Sequence, residues 1–122
     1  MNERDKYFID LVDKILSTYG IVSVESIKKA TSEAIRRPAK FYISPKWCLD
    51  IVKGKVSSYK EYPIKIERDI ILKKLFKEYR YKLYPNLSDI EVCELLLEEE
   101  IAPRLYIEDS TAFRLYYRIM NK

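Results

Sequence analysis

The sequence predicts a mainly α-helical fold with a small two-stranded antiparallel sheet, built by internal duplication of a helix-helix-strand-helix unit about a pseudo-twofold axis. Three observations predict this fold class. The tripeptide Glu-Arg-Asp occurs at residues 3–5 and again, 64 residues later, at 67–69. Apolar residues after each copy recur every three or four positions, as on one face of a helix. Two later segments, 40–43 and 104–107, alternate in the manner of a half-buried strand.

The length of the chain is right for one compact domain. We predict a single domain over residues 1–122, with repeat halves at about 3–54 and 67–120 and a linker at 55–66. The hydrophobic content of 48% is sufficient for a core, and only 2 Gly occur. No Gly/Ser-rich or Pro-rich run is long enough to form a flexible tether.

Each half is predicted to begin with an amphipathic helix. The first spans about 5–19 and ends near Gly20, a residue that readily adopts left-handed backbone angles. The second spans about 67–84 and is ended by Pro85. The positions predicted to face the core are Phe8, Leu11, Val12, Ile15 and Tyr19 in the first half and Leu72, Leu75, Phe76, Tyr79 and Leu83 in the second.

A second helix follows in each half. The later one has a clear start signal, because Ser88 can accept a hydrogen bond from a backbone amide while Glu91 bonds back to it as a capping box. The residues predicted to be buried are Val24, Ile27, Ala30 and Ala34 in the first half and Leu87, Ile90, Cys93 and Leu97 in the second.

The strand predicted next in each half cannot satisfy its backbone groups alone. We therefore expect the two strands to pair, with Phe41, Ile43, Leu105 and Ile107 on the buried face. The alternative is that each segment is an extended connector and no sheet forms.

A third helix closes each half. Ser44 as cap and Pro45 at the first helical position begin the earlier one, and Asp109 is predicted to cap the later one. Their predicted apolar residues are Trp47, Cys48, Ile51 and Val52, and Ala112, Leu115, Tyr116 and Ile119.

The sequence offers few groups for catalysis, and we predict that the protein is not an enzyme. It contains no His, the commonest general base, and no glycine-rich phosphate loop or nucleophile motif. Cys48 and Cys93 lie outside any zinc-binding spacing and are interpreted as small buried residues. No catalytic residue, cofactor or metal site is predicted, and a small carboxylate- or metal-dependent enzyme is the least favoured class.

The charge distribution permits an acidic partner without requiring one. The formal net charge is +4, and all of it comes from residues 1–61, which carry 12 Lys/Arg against 8 Asp/Glu. This imbalance is far from the basic stripe of a typical nucleic-acid-binding protein. The 11 Tyr suit either protein interfaces or the edges of a core.

The interaction candidates form two groups. The first is the outward face of the strands with the basic residues before it, and the second is an acidic helix end. The candidates are Arg36, Arg37, Lys40, Tyr42, Arg104 and Tyr106, and then Glu98, Glu99 and Glu100. A two-stranded ribbon can read the major groove of DNA, but a polar face that meets only water fits the same pattern.

Three Glu at a helix C-terminus oppose the helix dipole and favour a basic partner, either Arg36/Arg37 or another protein; a solvated helix face is the alternative.

The phrases "RRPAKFYISPKWCLDIV" and "IAPRLYIEDSTAFRLYYRI" resemble segments of short uncharacterised proteins of bacteriophages and mobile elements. Those proteins carry repeated segments of Pro-Ala, a basic residue, an aromatic residue, Tyr and Ile. The resemblance implies a small virion or assembly component, or an accessory protein acting on DNA or a host factor. It implies no catalytic residue.

The leading hypothesis is a non-enzymatic protein-interaction or assembly module, a small bacteriophage virion protein or assembly-associated protein. We expect protein partners and self-association, and the alternative is a DNA-binding accessory protein that uses the two-stranded ribbon. The charged start "MNERDKYF" and the lack of a long apolar run predict no membrane segment. The expected location is the host cytoplasm, with incorporation into a virion.

Overall fold

A computed structural model of the protein describes residues 1–55 and 63–121. Within these residues the chain forms six α-helices and one π-helix. They are α1 (Glu3–Tyr19), α2 (Val24–Ala34), α3 (Pro45–Val52), α4 (Pro63–Glu78), the π-helix (Tyr79–Leu83), α5 (Asp89–Glu99) and α6 (Asp109–Met120). The predicted linker at 55–66 lies partly outside the described residues, and its last four residues belong to α4.

Short polar side chains begin most of these helices. Ser44 accepts a hydrogen bond from the amide of Trp47 at 3.1 Å, and Pro45 occupies the first helical position, as predicted. Ser88 and Glu91 form the predicted capping box, with N–H to O distances of 3.3 and 3.2 Å. Such caps satisfy amide groups that have no partner inside the helix.

The predicted two-stranded sheet is wrong, because no strand occurs in the part of the chain that the structure describes. The backbone of the second segment finds other partners: the Leu105 amide donates to the Ile35 carbonyl at 2.9 Å, and the Arg104 side chain donates to the carbonyls of Leu105 and Ile107. In the first segment the Ile43 amide bonds to the Phe41 carbonyl at 2.9 Å. The alternating pattern therefore belongs to extended connectors, in which Phe41, Leu105 and Ile107 are buried and Ile43 is half-buried.

The chain divides into two compact units. The first consists of Met1–Ala39 and Pro103–Lys122, and in it α2 packs against both α1 and α6. The Tyr116 hydroxyl donates to Asp13 at 2.9 Å, which joins α6 to α1. Burial and this acceptor raise the pKa of Tyr116 to about 12. The core of this unit includes Phe8, Val12, Ala30, Ala34, Ile35 and Ala112.

The second unit is Lys40–Ala102, in which α5 packs against α3, α4 and the π-helix. Its fully buried side chains include Ile51, Leu72, Val92 and Leu96. Cys48 and Cys93 are also buried, as predicted, and are free thiols. The hydrogen bond to Cys93, together with burial, raises the pKa of Cys48, so this thiol stays protonated.

Each unit takes its third helix from the other half of the sequence. The helix α6 follows α5 along the chain but packs against α2, whereas α3 follows α2 and packs against α4 and α5. The prediction of a single domain over residues 1–122 stays a prediction.

Four boundary or burial predictions need correction. Glu108, not Asp109, stands at the N-cap position of α6, and its side chain makes no capping bond. Val24, Trp47 and Leu83 were predicted to be core residues but are 48%, 39% and 60% exposed. Val24 and Trp47 lie in the first turn of their helices. Leu83 is the last residue of the π-helix, whose wider turns depart from the α-helical period that predicted its burial.

The contrast between Leu72 and Leu83 gives a test of the second unit. Leu72→Ala removes a fully buried side chain, and we expect it to lower the free energy of unfolding by about 2–5 kcal/mol. Leu83→Ala, at a position that is 60% exposed, should cost less than about 0.5 kcal/mol. Urea denaturation of both variants measures the difference, and equal losses would contradict this account of the core.

Candidate functional site

The predicted outward face of the ribbon does not form. Lys40 and Tyr42 belong to the second unit, where Lys40 is exposed and Tyr42 is half-buried. Arg104 and Tyr106 belong to the first unit, and the guanidinium of Arg104 is used by its own segment, with donor distances of 3.1 and 3.3 Å. These four residues therefore do not constitute the DNA-reading face that the strand pattern predicted.

The predicted basic pair is occupied by ion pairs inside the first unit. Arg36 forms a bidentate pair with Asp109, at 2.8 and 3.1 Å, which ties the end of α2 to the start of α6. Arg37, which follows the end of α2, pairs with Glu33 in the last turn of that helix at 3.1 Å. Hydrogen bonding from Arg36 holds the pKa of Asp109 below its usual range. Both arginines thus form ion pairs within the first unit, and the pair of Arg36 connects two helices.

The predicted acidic helix end lies in the second unit and is exposed at Glu98 and Glu99. The Tyr79 hydroxyl donates to Glu99 at 3.1 Å and to Glu100 at 3.0 Å. Burial and these two bonds raise the pKa of Tyr79. Within residues 1–55 and 63–121 none of the three carboxylates forms a salt bridge, so their charge is not neutralised there.

One concave surface of the second unit was not predicted from the sequence. It is a groove of about 400 Å³ at the end of α3 and along α4 and the π-helix. We call it the lysine groove, and the residues that define it are Lys53, Gly54, Lys73, Phe76, Lys77 and Tyr81.

Helix geometry brings the basic and aromatic residues of the groove together. Lys73, Lys77 and Tyr81 follow one another at intervals of four residues, so they line one face of α4 and its continuation. Gly54 contributes backbone from the end of α3, where its φ of 71° is left-handed and strains any residue with a Cβ.

The three lysines of the groove differ in their surroundings. Lys53 pairs with Asp89, and its Nζ lies 5.9 Å from the centroid of the Phe76 ring. The hydrogen bond from Lys53 lowers the pKa of Asp89, which also lies 3.0 Å from the Nε of Arg80. Lys73 and Lys77 are exposed, and neither takes part in a salt bridge with any residue that the structure describes. The groove therefore retains positive charge.

The groove has the chemistry of an anion-binding surface with an apolar wall. Ammonium groups pair with carboxylates and phosphates, and Tyr81, which is 75% exposed, offers a ring for contact with an apolar or planar group. A volume of about 400 Å³ is within the range of ligand pockets. The part of the sequence that could have indicated this groove is "KKLFKEYRYK", residues 73–82, which has five basic residues and one acidic residue.

The described residues contain neither a candidate metal-binding cluster nor a candidate membrane-spanning helix. No group of three or more His, Cys, Asp or Glu among them is placed to hold a metal ion. None of the helices that they form is long and apolar enough to cross a membrane. The chain matches no protein-family model, no curated protein and no solved structure.

The ion pair of Arg36 and Asp109 predicts a pH dependence of stability. Arg36 lowers the folded-state pKa of Asp109, so the pair stabilises the fold above the unfolded pKa of about 3.9 and loses this effect as the pH falls through the folded-state pKa. Because both side chains are half exposed, we expect Asp109→Asn to cost less than about 1 kcal/mol at neutral pH.

Denaturation of the wild type and of Asp109→Asn across the acid range measures this effect. The difference between them should disappear below the folded-state pKa. Asp10→Asn is the matched control, since Asp10 is exposed and forms no salt bridge among residues 1–55 and 63–121. A difference that persists unchanged at the lowest pH would show that the pair does not stabilise the fold in this way.

Proposed function

We propose that the protein is a non-enzymatic interaction module whose lysine groove binds an acidic segment of a protein partner. The observation that supports this most is the pair of exposed lysines, Lys73 and Lys77, which stand one helical turn apart beside an exposed aromatic ring and form no salt bridge with any residue that the structure describes. Two carboxylates along a bound peptide could pair with them, while Phe76 and Tyr81 contact its apolar side chains.

A peptide segment suits the groove better than a nucleic acid does. The DNA-binding alternative depended on the two-stranded ribbon, which the structure lacks among the residues it describes. Residues 40–102 contain 12 Lys/Arg and 11 Asp/Glu, whereas nucleic-acid-binding domains usually carry a clear excess of positive charge.

The biological setting proposed is the assembly of a bacteriophage, with the protein acting in the host cytoplasm or within the virion. The support for this is the resemblance of residues 36–52 and 101–119 to segments of small bacteriophage and mobile-element proteins. The lack of His in the sequence supports a role without catalysis. Genes for capsid or portal proteins beside the gene for this chain would favour this setting, and recombination genes would favour the DNA accessory role.

Replacement of the two exposed lysines tests the groove directly. The probe is a fluorescein-labelled peptide of about ten residues with Glu at alternate positions, and a Gln version of the same peptide is the uncharged control. We expect Lys73→Ala/Lys77→Ala to weaken binding of the Glu peptide about tenfold, measured by fluorescence anisotropy at low salt. Binding should also weaken as salt rises, since the charges are exposed.

The matched control is Lys6→Ala/Lys14→Ala, which removes two exposed lysines from α1 and leaves the groove intact. Equal loss in both double variants would mean that the peptide responds only to net charge, and the proposed function would then be wrong. Tighter binding of a duplex or single-stranded oligonucleotide than of the Glu peptide would also overturn it, in favour of nucleic-acid binding.

Removal of the acidic group beside the groove should have the opposite effect. Asp89→Asn removes the ion pair of Lys53 and one negative charge, so the net charge beside the groove becomes more positive by one unit. We expect the Glu peptide to bind about two- to fivefold more tightly, a change that loss of structure could not produce. Asp10→Asn serves as the control for net charge, and unchanged or weaker binding by a folded Asp89→Asn variant would contradict the assignment of the groove.

A further inference from the structure

The structure provides an acidic segment that fits the lysine groove, and it belongs to the chain itself. We infer that the partner is a second copy of this protein, whose segment Glu98–Ile101 binds in the lysine groove of the first copy. This inference rests on the proposed function of the groove. It makes the protein a head-to-tail self-assembling module, because the groove and the acidic segment are different surfaces of the same unit.

The acidic segment is presented for contact with another molecule. Glu100 has extended backbone angles, with φ −89° and ψ 145°, so the chain leaves the helix there and Ile101 follows outside it. Ile101 is 73% exposed and directly follows three carboxylates. The last turn of α5 contains no basic residue, so the negative charges oppose the helix dipole, and the neutral Tyr79 hydroxyl that donates to Glu99 and Glu100 leaves their charge in place.

The two surfaces are complementary in charge and in apolar character. Lys73 and Lys77, which form no salt bridge with any residue that the structure describes, match carboxylates of the segment, and the groove has an aromatic wall at Phe76 and Tyr81 that could receive the Ile101 side chain. Such pairing would place these lysines and carboxylates next to opposite charges. Electrostatic complementarity of this kind favours recognition and orients the partners.

A single molecule does not satisfy both surfaces by itself. Lys53 pairs with Asp89, the first residue of α5, whereas Glu98–Glu100 lie at the other end of this helix. An α-helix of 11 residues is about 16 Å long, beyond the reach of the Lys53 side chain. Tyr79 of the π-helix reaches Glu99 and Glu100, but neither Lys73 nor Lys77 forms a salt bridge with these carboxylates. A contact between two different surfaces of identical chains is heterologous, so it continues to further copies unless a ring closes.

The expected behaviour is therefore association beyond a dimer that increases with protein concentration and decreases with salt. Sedimentation velocity of the full-length protein at about 50 mM and about 500 mM salt measures it, since exposed ion pairs are strongly screened at the higher concentration. Lys73→Ala/Lys77→Ala retains the acidic segment and loses the groove. Glu98→Gln/Glu99→Gln/Glu100→Gln retains the groove and loses the acidic segment. Each variant alone should be monomeric.

Mixing the two variants is the decisive experiment. A mixture leaves one functional groove and one functional segment, so we expect a one-to-one complex of the two variants and no larger species. The matched controls are Lys6→Ala/Lys14→Ala and Glu3→Gln/Glu25→Gln/Glu67→Gln, which change the same charges at exposed positions elsewhere and should associate as the wild type does. Circular dichroism of every variant establishes that each is folded.

The outcomes separate this inference from the proposed function. If the groove binds the Glu peptide but the wild type is monomeric at every concentration, the self-assembly inference fails and the proposed function stands. If the wild type associates and the two variants still associate alone, another surface is responsible and the inference fails. If neither the Glu peptide nor a second copy binds to the groove, both are wrong.

Discussion

In the second unit, the carboxylate of Asp89 links the start of α5 to two other elements. It accepts a hydrogen bond from Lys53 at the end of α3 and lies 3.0 Å from the Nε of Arg80 in the π-helix. Arg80 in turn donates to the carbonyls of Pro85 and Leu87, at 2.8 and 2.6 Å, and so closes the connection between the π-helix and α5. A single acidic residue at the start of α5 thus connects this helix to the end of α3 and to the π-helix, two of the elements that line the lysine groove.

The helices could be predicted because their signals are local. The spacing of apolar residues, the Ser88 and Glu91 capping box and the Ser44–Pro45 start depend only on residues within a few positions of one another. The sheet could not be excluded in the same way. An alternating pattern such as that around Leu105 records which side chains are buried, but not which group accepts the backbone hydrogen bond. That group is the carbonyl of Ile35, at the end of α2, 70 residues earlier in the sequence.

The candidate site could be predicted only in part, for a related reason. The acidic end at Glu98–Glu100 is contiguous in the sequence and was recognised, whereas the lysine groove combines Lys53 with Lys73 and Lys77 from another helix. Its formation requires α3 to pack against α4, which lies in the other half of the sequence. Periodicity within one helix carries no information about this packing. Likewise, Arg36 was predicted to be available for a partner, but in the folded chain it forms an ion pair with Asp109.

The two proposed surfaces share an energetic property that supports their pairing. Lys73 and Lys77 are like charges one turn apart on a helix, an arrangement that destabilises a helix by about 0.2–0.5 kcal/mol. The carboxylates of Glu98–Glu100 oppose the dipole of α5, and this arrangement is also unfavourable, by about 0.3–1 kcal/mol for each charge. Each cost is present in the isolated chain and is relieved by an opposite charge. The same contact between two copies would relieve both, so the features that weaken the single unit are those that would stabilise an assembly.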